Sequence, residues 1–460
     1  MHKAIQTETA NVQKTTERLA KAKRKLAIEY RPIASLRLDP KNPRLHKEKQ
    51  VLQIARSIKA FGFNVPVLIN AEMQVVAGHG RLEACKLLSI DEVPTIRLEH
   101  LTEAQARAFL IADNRLTENA EWDNRLLGEQ LKILSEAELD FSLEATGFEM
   151  GEIDLFIENL SPPIEGEEDP EDALPEPYPT QVSQIGDIWK LGKHRVLCGD
   201  ALNERSYSEL MQGHRAAAVF TDPPYNDPID GYVAGFGNIH PREFAMASGE
   251  MSEAEFAEFL FKIFRNLARN CEGGSLHFVC MDWRHLPEIL AASRRVYSEF
   301  KNLCVWVKES GGQGSLYRSQ YELVFVFKSG KAKHQNNIQL GQYGRYRTNV
   351  WQYPRVNSPA RNGEEQLSGL HPTIKPAAMV GDAILDSTSR NDIILDPFLG
   401  SGTTVIAAER TGRICFGLEL DPFYVDTIIR RWQTFTGKTA VHEKSGRIFS
   451  ELEQEATHEG

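Results

Sequence analysis

Long apolar runs are missing from this 460-residue sequence. The longest, such as Ala216 to Phe220 and Leu323 to Phe327, stop at about five residues, far short of the roughly 20 a membrane helix needs. No apolar segment follows the start methionine, so no export signal is expected and a cytoplasmic location is. Cysteine is sparse and scattered: Cys85, Cys198, Cys271, Cys280, Cys304 and Cys415 form no C-x-x-C pair, which argues against a zinc ribbon or a disulfide framework and implies no metal. Excess positive charge is missing too. With 53 Lys and Arg against 64 Asp and Glu the formal net charge is −11, a sum that by itself speaks against a nucleic-acid partner. What is present is ordinary: 41% hydrophobic and 25% charged residues fit a globular chain, long enough for two or three domains.

The charges are unevenly placed. Residues 1–28 form a basic tail with seven Lys and Arg against two Glu, whereas 161–182 (SPPIEGEEDPEDALPEPYPTQV) holds seven acids and six prolines. Proline removes backbone donors and clustered acids repel, so 161–182 reads as an extended linker. It supplies −7 of the −11. The linker separates an N-terminal region from a C-terminal region of about 280 residues.

In the N-terminal region, strand-like runs Val65 to Ile69 and Met73 to Ala77 lie near a helical stretch, Val51 to Phe61, with Leu52, Ala55, Ile58 and Phe61 on one face. Val76-Ala77-Gly78-His79-Gly80-Arg81 then passes from a strand through glycines into a helix. Such a turn suits a phosphate, with Arg81 as counter-charge, and equally suits a plain tight turn. This segment resembles the ParB-like (ParB/sulfiredoxin) domain family through its Gly78, Arg81 and Ala84 box, Asp39-Pro40-Lys41-Asn42-Pro43-Arg44, and Ala112-Asp113-Asn114-Arg115. The resemblance spans residues 30 to 120 and implies DNA docking, with a nucleotide at the box left open because Gly80 stands where the family carries an arginine. Residues 121–160, with Leu126, Leu127, Leu131 and Leu134 at helical spacing, read as a packed helical extension.

Three post-strand loops mark the C-terminal region. The apolar strand Ala216 to Thr221 leads into Asp222-Pro223-Pro224-Tyr225-Asn226; such strands suit a parallel sheet buried on both faces, whose ligands bind beyond the carboxyl ends. Ile393 to Asp396 leads into Pro397-Phe398-Leu399-Gly400-Ser401-Gly402-Thr403 and a helix, a nucleotide-type cradle. No lysine follows its second glycine, so it is not a phosphate-binding P-loop. About 20 residues on, Glu419 ends the next strand, where an acid can accept both hydroxyls of a ribose. Each loop alone fits a structural turn as well as a site.

Together, over residues 184 to 438, they resemble the β group of amino-methylating DNA methyltransferases, which use S-adenosyl-L-methionine. The resemblance makes Asp222, Pro223, Pro224 and Tyr225 the catalytic motif. It assigns the cofactor to Asp200, Thr373, Lys375, Asp396, Phe398, Gly400, Ser401, Gly402, Thr403 and Glu419. Asp200 comes from Leu197-Cys198-Gly199-Asp200 and the pair Thr373, Lys375 from His371-Pro372-Thr373-Ile374-Lys375-Pro376. An exocyclic amine is a poor nucleophile; the Asp222 carboxylate and the Pro223 carbonyl can accept its two hydrogens and aim its lone pair, while Tyr225 offers a face to a flipped base. No Pro-Cys dipeptide exists in the chain, which excludes the usual cysteine-nucleophile route to C5-methylcytosine.

The target-recognition segment should lie between the two motifs. Residues 308–361 interleave rings with basic groups, and Arg318, Arg345, Arg347 and Arg355 are the candidate DNA contacts. The expected fold is α/β: a doubly wound, mostly parallel methyltransferase sheet in 183–445, a separate smaller α+β ParB-like domain in 29–120, and a tail at 446–460. The expected function is methyl transfer to N6 of adenine in double-stranded DNA, since Asp rather than Ser precedes Pro-Pro-Tyr. N4-cytosine methylation is the near alternative, and a ParB-like nucleotide-binding DNA adaptor with a degenerate methyltransferase domain is the alternative of another class. A homodimer stays open; a membrane partner is not expected.

Overall fold

The computed structural model describes residues 26–459 apart from 41, 161–171, 174, 176–179, 227–248, 310, 312–315, 342–343, 355 and 357–373. Most of the basic tail and of the acidic linker therefore lie outside the described residues. The chain forms two compact units divided after Glu149.

The first unit carries β1 (Ile28–Pro32), α1 (Glu48–Phe61), β2 (Val67–Ile69), β3 (Val75–Ala77), α2 (His79–Leu87), β4 (Glu92–Arg97), α3 (Glu103–Glu118) and α4 (Asn124–Glu136). Its sheet runs β1-β4-β2-β3, the α+β arrangement expected. Val67, Ile69, Val75, Leu82, Cys85 and Val93 form the core. On α1 the buried stripe is Val51 and Ala55 with Ile54 and Ile58 against it; Leu52, expected on that face, is 45% exposed, because it lies about 100° round the helix axis from Val51. A Thr102–Gln105 capping box starts α3 by satisfying free N–H groups from both directions.

The second unit begins with α5 (Met150–Glu158), followed by β5 (Ile188–Leu191), β6 (His194–Cys198), α6 (Glu204–Met211), β7 (Ala216–Thr221), α7 (Glu253–Asn270), β8 (Cys271–Met281) and α8 (Leu286–Ser293). Next come β9 (Glu299–Val307), β10 (Tyr321–Lys328), β11 (Val350–Gln352), α9 (Ala377–Ser387), β12 (Ile393–Asp396) and α10 (Thr403–Thr411). The chain closes with β13 (Ile414–Glu419), α11 (Pro422–Thr436), β14 (Val441–His442) and α12 (Phe449–Glu459).

Two boundaries differ from the sequence reading. Residues 121–160 are not one extension: α5 belongs to the C-terminal unit, where Asp154 pairs with Arg413 and Arg390. Residues 446–460 are not a plain tail, since Phe449 of α12 is fully buried against Trp189.

The ten strands run β11-β9-β10-β8-β7-β12-β13-β6-β5-β14. From β8 to β6 the pairings are parallel; β10, β5 and β14 pair antiparallel with their neighbours. Both faces are covered. Val219 and Leu395 face the cluster containing α6, α7 and α8, while Ala218, Phe220 and Ile394 face the one containing α9, the alternation a strand imposes. Helix α7 buries Phe256, Phe259, Leu260, Ile263, Phe264 and Leu267, each contributing roughly 1.5–3 kcal/mol.

From β7 the chain crosses through α7 to β8; from β12 it crosses through α10 to β13, on the other side. The two crossovers diverge, so a crevice opens at the carboxyl ends of β7 and β12. Among the described residues, no helix is long and apolar enough to cross a membrane.

Candidate active site

The crevice is bound together at its base. Thr221, the last residue of β7, donates its hydroxyl to Asp396 Oδ1 at 2.9 Å, tying the two adjacent strand ends. Asp396 also accepts from Thr404 Oγ1 at 2.6 Å and from the Phe398 N–H at 3.0 Å. Burial lifts its carboxyl to about 6 against those three donors.

Asp222 follows immediately. Its Oδ1 accepts from Tyr225 OH at 2.6 Å and its Oδ2 from Lys375 Nζ at 2.5 Å. Burial raises the Asp222 pKa, opposed chiefly by the Lys375 ammonium. Burial and the Asp222 charge push the Tyr225 phenol up, so it stays a donor. Pro223 is buried under the loop, while Pro224 and Tyr225 are half-buried. Asn226 adopts the left-handed conformation (φ 56°), which asparagine tolerates better than most residues. Its side chain accepts from the Gly249 and Met251 N–H groups and donates to Met251 O.

Across the crevice, the glycine loop curls against β13. Gly402 lies at φ 87°, and a Cβ there would meet Ile428 at 3.0 Å. Arg431 of α11, 3% exposed, donates one Nη1 to Ser401 O, Ser401 Oγ and Thr403 Oγ1 at 3.1–3.3 Å. Both hydroxyls keep their own hydrogens for another acceptor. Glu419 accepts the Gly400 N–H on Oε2 at 2.8 Å and the Asp421 N–H on Oε1 at 3.0 Å. Each oxygen thus retains a lone pair, and burial lifts the carboxyl to about 7. A half-buried acid with backbone donors only is suited to hydroxyl groups of a ligand. Asp200 stands at the end of β6, where Gly199 N–H bonds to Glu419 O at 2.9 Å.

The crevice thus sets an acid, Asp222, beside a glycine cradle at two adjacent strand ends. Residues 216–430 match the DNA methylase family, 125–185 the ParB-methyltransferase HTH domain and 17–114 the ParB N-terminal domain. The chain is 33% identical over 237 residues to the Type II methyltransferase M2.MboI of Moraxella bovis, covering 49% of this chain and 84% of that protein. The chain belongs to the DNA methylase family. The chain is also 26% identical over 263 residues to the DNA adenine methyltransferase YhdJ of Escherichia coli K12 (51% of this chain, 81% of YhdJ). Over 81 residues it is 46% identical to the ParB-like nuclease domain-containing protein YnaK of the same organism (18% of this chain, 93% of YnaK).

Several residues occupy places other than those expected for a DNA methylase of this sequence. Lys375, expected at the cofactor, touches Asp222 and, at 3.2 Å, Glu322, rather than the glycine loop. Asp396 spends both oxygens on Thr221, Thr404 and Phe398 and is a strut beneath the cradle. Arg345 and Arg347, expected on DNA, are buried or nearly so in ion pairs with Asp382 and Asp386, and Arg345 also reaches Glu158. The opposed carboxylates draw these guanidiniums inward. Arg318 is exposed; Arg355 and Thr373 lie outside the described residues.

In the first unit, Asn42, Arg44, Gly78, His79, Asp113 and Asn114 do line one pocket, which brings together the three segments of the ParB resemblance. Arg81, expected as a counter-charge, lines the same pocket and also donates Nη1 to the carbonyls of Val65 and Pro66.

Sequence reasoning missed Glu322, Lys308, Asn226 and Arg431 as site residues. One signal for Glu322 was available: a lone acid in the apolar strand Tyr321-Glu322-Leu323-Val324-Phe325.

Proposed function

We propose that the chain transfers the methyl group of S-adenosyl-L-methionine to N6 of adenine in double-stranded DNA. The observation that carries this reading is the Asp222 carboxylate, held by Lys375 and Tyr225 at the strand end next to the glycine cradle. When bound, the cofactor supplies an electrophilic methyl group on sulfur. Glu419 would accept its ribose hydroxyls, with Ser401, Thr403 and Asp200 around the remainder. Asp222 accepts a hydrogen of the target amine and orients its lone pair. The cofactor would supply the methyl group to the nitrogen lone pair, its former bonding pair staying with sulfur, and Asp222 would take the proton that the amine sheds. Adenine is favoured by the aspartate ahead of Pro223-Pro224-Tyr225 and by the adenine named for YhdJ.

The test incubates the full chain with labelled S-adenosyl-L-methionine and plasmid DNA, then digests the DNA to nucleosides. N6-methyladenine is expected; label in N4-methylcytosine alone overturns the base assignment, and unlabelled DNA overturns the activity. Asp222→Ala should abolish transfer while leaving cofactor binding measurable.

For the N-terminal pocket, the reading that fits best is a nucleotide seated at the start of α2. Arg44 and Arg81 are the cations that line it, Arg44 also bonding to Asn114 and Arg81 to the Val65 and Pro66 carbonyls. Titration with a fluorescent nucleotide, with and without Arg44→Ala, tests it; no saturable binding by the wild-type chain would leave DNA docking as the role of this unit.

A further inference from the structure

Lys375 is shared between two acids. Its Nζ lies 2.5 Å from Asp222 Oδ2 and 3.2 Å from Glu322 Oε2. Glu322 Oε1 in turn accepts from Lys308 Nζ at 2.8 Å, and that ammonium sits 4.8 Å from the Trp306 ring centroid. The result is an alternating row, Asp222, Lys375, Glu322, Lys308, of two anions and two cations. Asp222 is its open end: its side chain is 21% exposed, against 5% for Lys375 and 8% for Glu322. A buried carboxylate at the second position of strand β10 contributes nothing to the sheet that an apolar residue would not supply, and burying an ion costs several kcal/mol before pairing.

The row meets a difficulty in the reaction. Both oxygens of Asp222 are engaged, and the ammonium on Oδ2 is a rival to the incoming N–H and repels a nitrogen that turns positive as the N–C bond forms. We propose that Glu322, steadied by Lys308, is a positioning residue that takes over the Lys375 ammonium when the target amine reaches Asp222, leaving Oδ2 to the substrate. This rests on the methyl-transfer reading above. The exchange needs only a small shift of the ammonium, because Glu322 already lies within ion-pair distance at 3.2 Å. The other groups around Asp222 are Tyr225 on its own loop, Cys280 of β8 and Asp396 of β12. Their interactions with the acid shift their own titrations, and none of the three supplies a second anion to Lys375. The negative charge of Glu322 also raises the Asp222 pKa, which keeps the carboxylate a stronger acceptor.

The test uses the full chain and the variants Glu322→Gln and Glu322→Asp. In Glu322→Gln the single-turnover rate of DNA methylation should fall about tenfold or more, with cofactor dissociation constant and DNA KM changed less than about threefold. Glu322→Asp should recover part of the rate. In the ligand-free protein, the carboxyl carbon resonance of Asp222 should titrate at lower pH in Glu322→Gln than in wild type, a readout independent of turnover. An unchanged rate and an unchanged Asp222 titration overturn the proposal. Equal loss of rate, cofactor binding and thermal stability in both variants also overturns it, in favour of a purely structural acid. If the wild-type chain methylates no DNA, it is the methyl-transfer reading that falls, while the titration still reports on the row.

Discussion

The Arg413 guanidinium donates to both oxygens of Asp154, at 3.0 and 2.7 Å, and neither side chain is more than 1% exposed. Arg390 adds a third contact at 3.1 Å. One helix of the segment that matches the ParB-methyltransferase HTH domain is thereby anchored on the methylase sheet, beside the residue that starts β13.

Removing one member of such a pair leaves an uncompensated buried charge. Asp154→Ala should therefore lower stability by about 3–5 kcal/mol, measured by denaturant unfolding. The double variant Asp154→Leu with Arg413→Met should regain much of that loss, since neither charge remains.

Cofactor binding should depend on pH through Glu419. Its pKa of about 7 is raised from the ordinary carboxylate range, so the ionised form that best accepts two hydroxyls is lost as pH falls below 7. Calorimetric affinity for S-adenosyl-L-methionine should drop toward tenfold per unit below that point. Glu419→Gln should bind weakly with no such slope.

Asp396 should leave its mark on stability instead. Its folded pKa of about 6 exceeds the unfolded value of 3.8, so the folded state binds more protons between those values. Stability from this group is present below the unfolded value and is lost as pH rises through 6, a cost on the order of 3 kcal/mol above it. Asp396→Asn keeps the shape without the charge. Its stability relative to wild type should rise from pH 4 to 6 and level off beyond, as read by thermal melts across that range.

Arg345 and Arg347 yield a prediction opposite to the one their composition invites. Arg345→Met should change stability, because Asp382, Asp386 and Glu158 lose a partner. It should leave the slope of log DNA affinity against log salt unaltered, whereas removal of a true phosphate contact lowers that slope by about one.

The parts of the site legible in the sequence are those where consecutive residues make the geometry. Asp222 to Tyr225, the loop from Phe398 to Thr403, and Glu419 each follow a short apolar strand, and a parallel sheet delivers its strand ends to one side. The ion pairs of Lys375 were not legible, because its partners, Asp222 and Glu322, are distant in the chain and meet only through the strand order β10-β8-β7. Likewise, the acids at 382 and 386 share one face of α9, visible as an i, i+4 pair, but nothing local says that Arg345 and Arg347 fold onto them. The division of the structure after Glu149 was not legible for a related reason: proline and acid composition marks where chain cannot pack, and Ile153 and Asp154, just ahead of such a stretch, are buried.

Asn226 holds the end of the Asp222 to Tyr225 loop to the Gly249 and Met251 backbone. One amide side chain thus gives that loop a second anchorage, supplied from more than twenty residues further along the sequence, in addition to the strand that precedes it. The position of Asp222 is therefore braced from both directions, and Asn226→Ala would leave it braced from the strand alone.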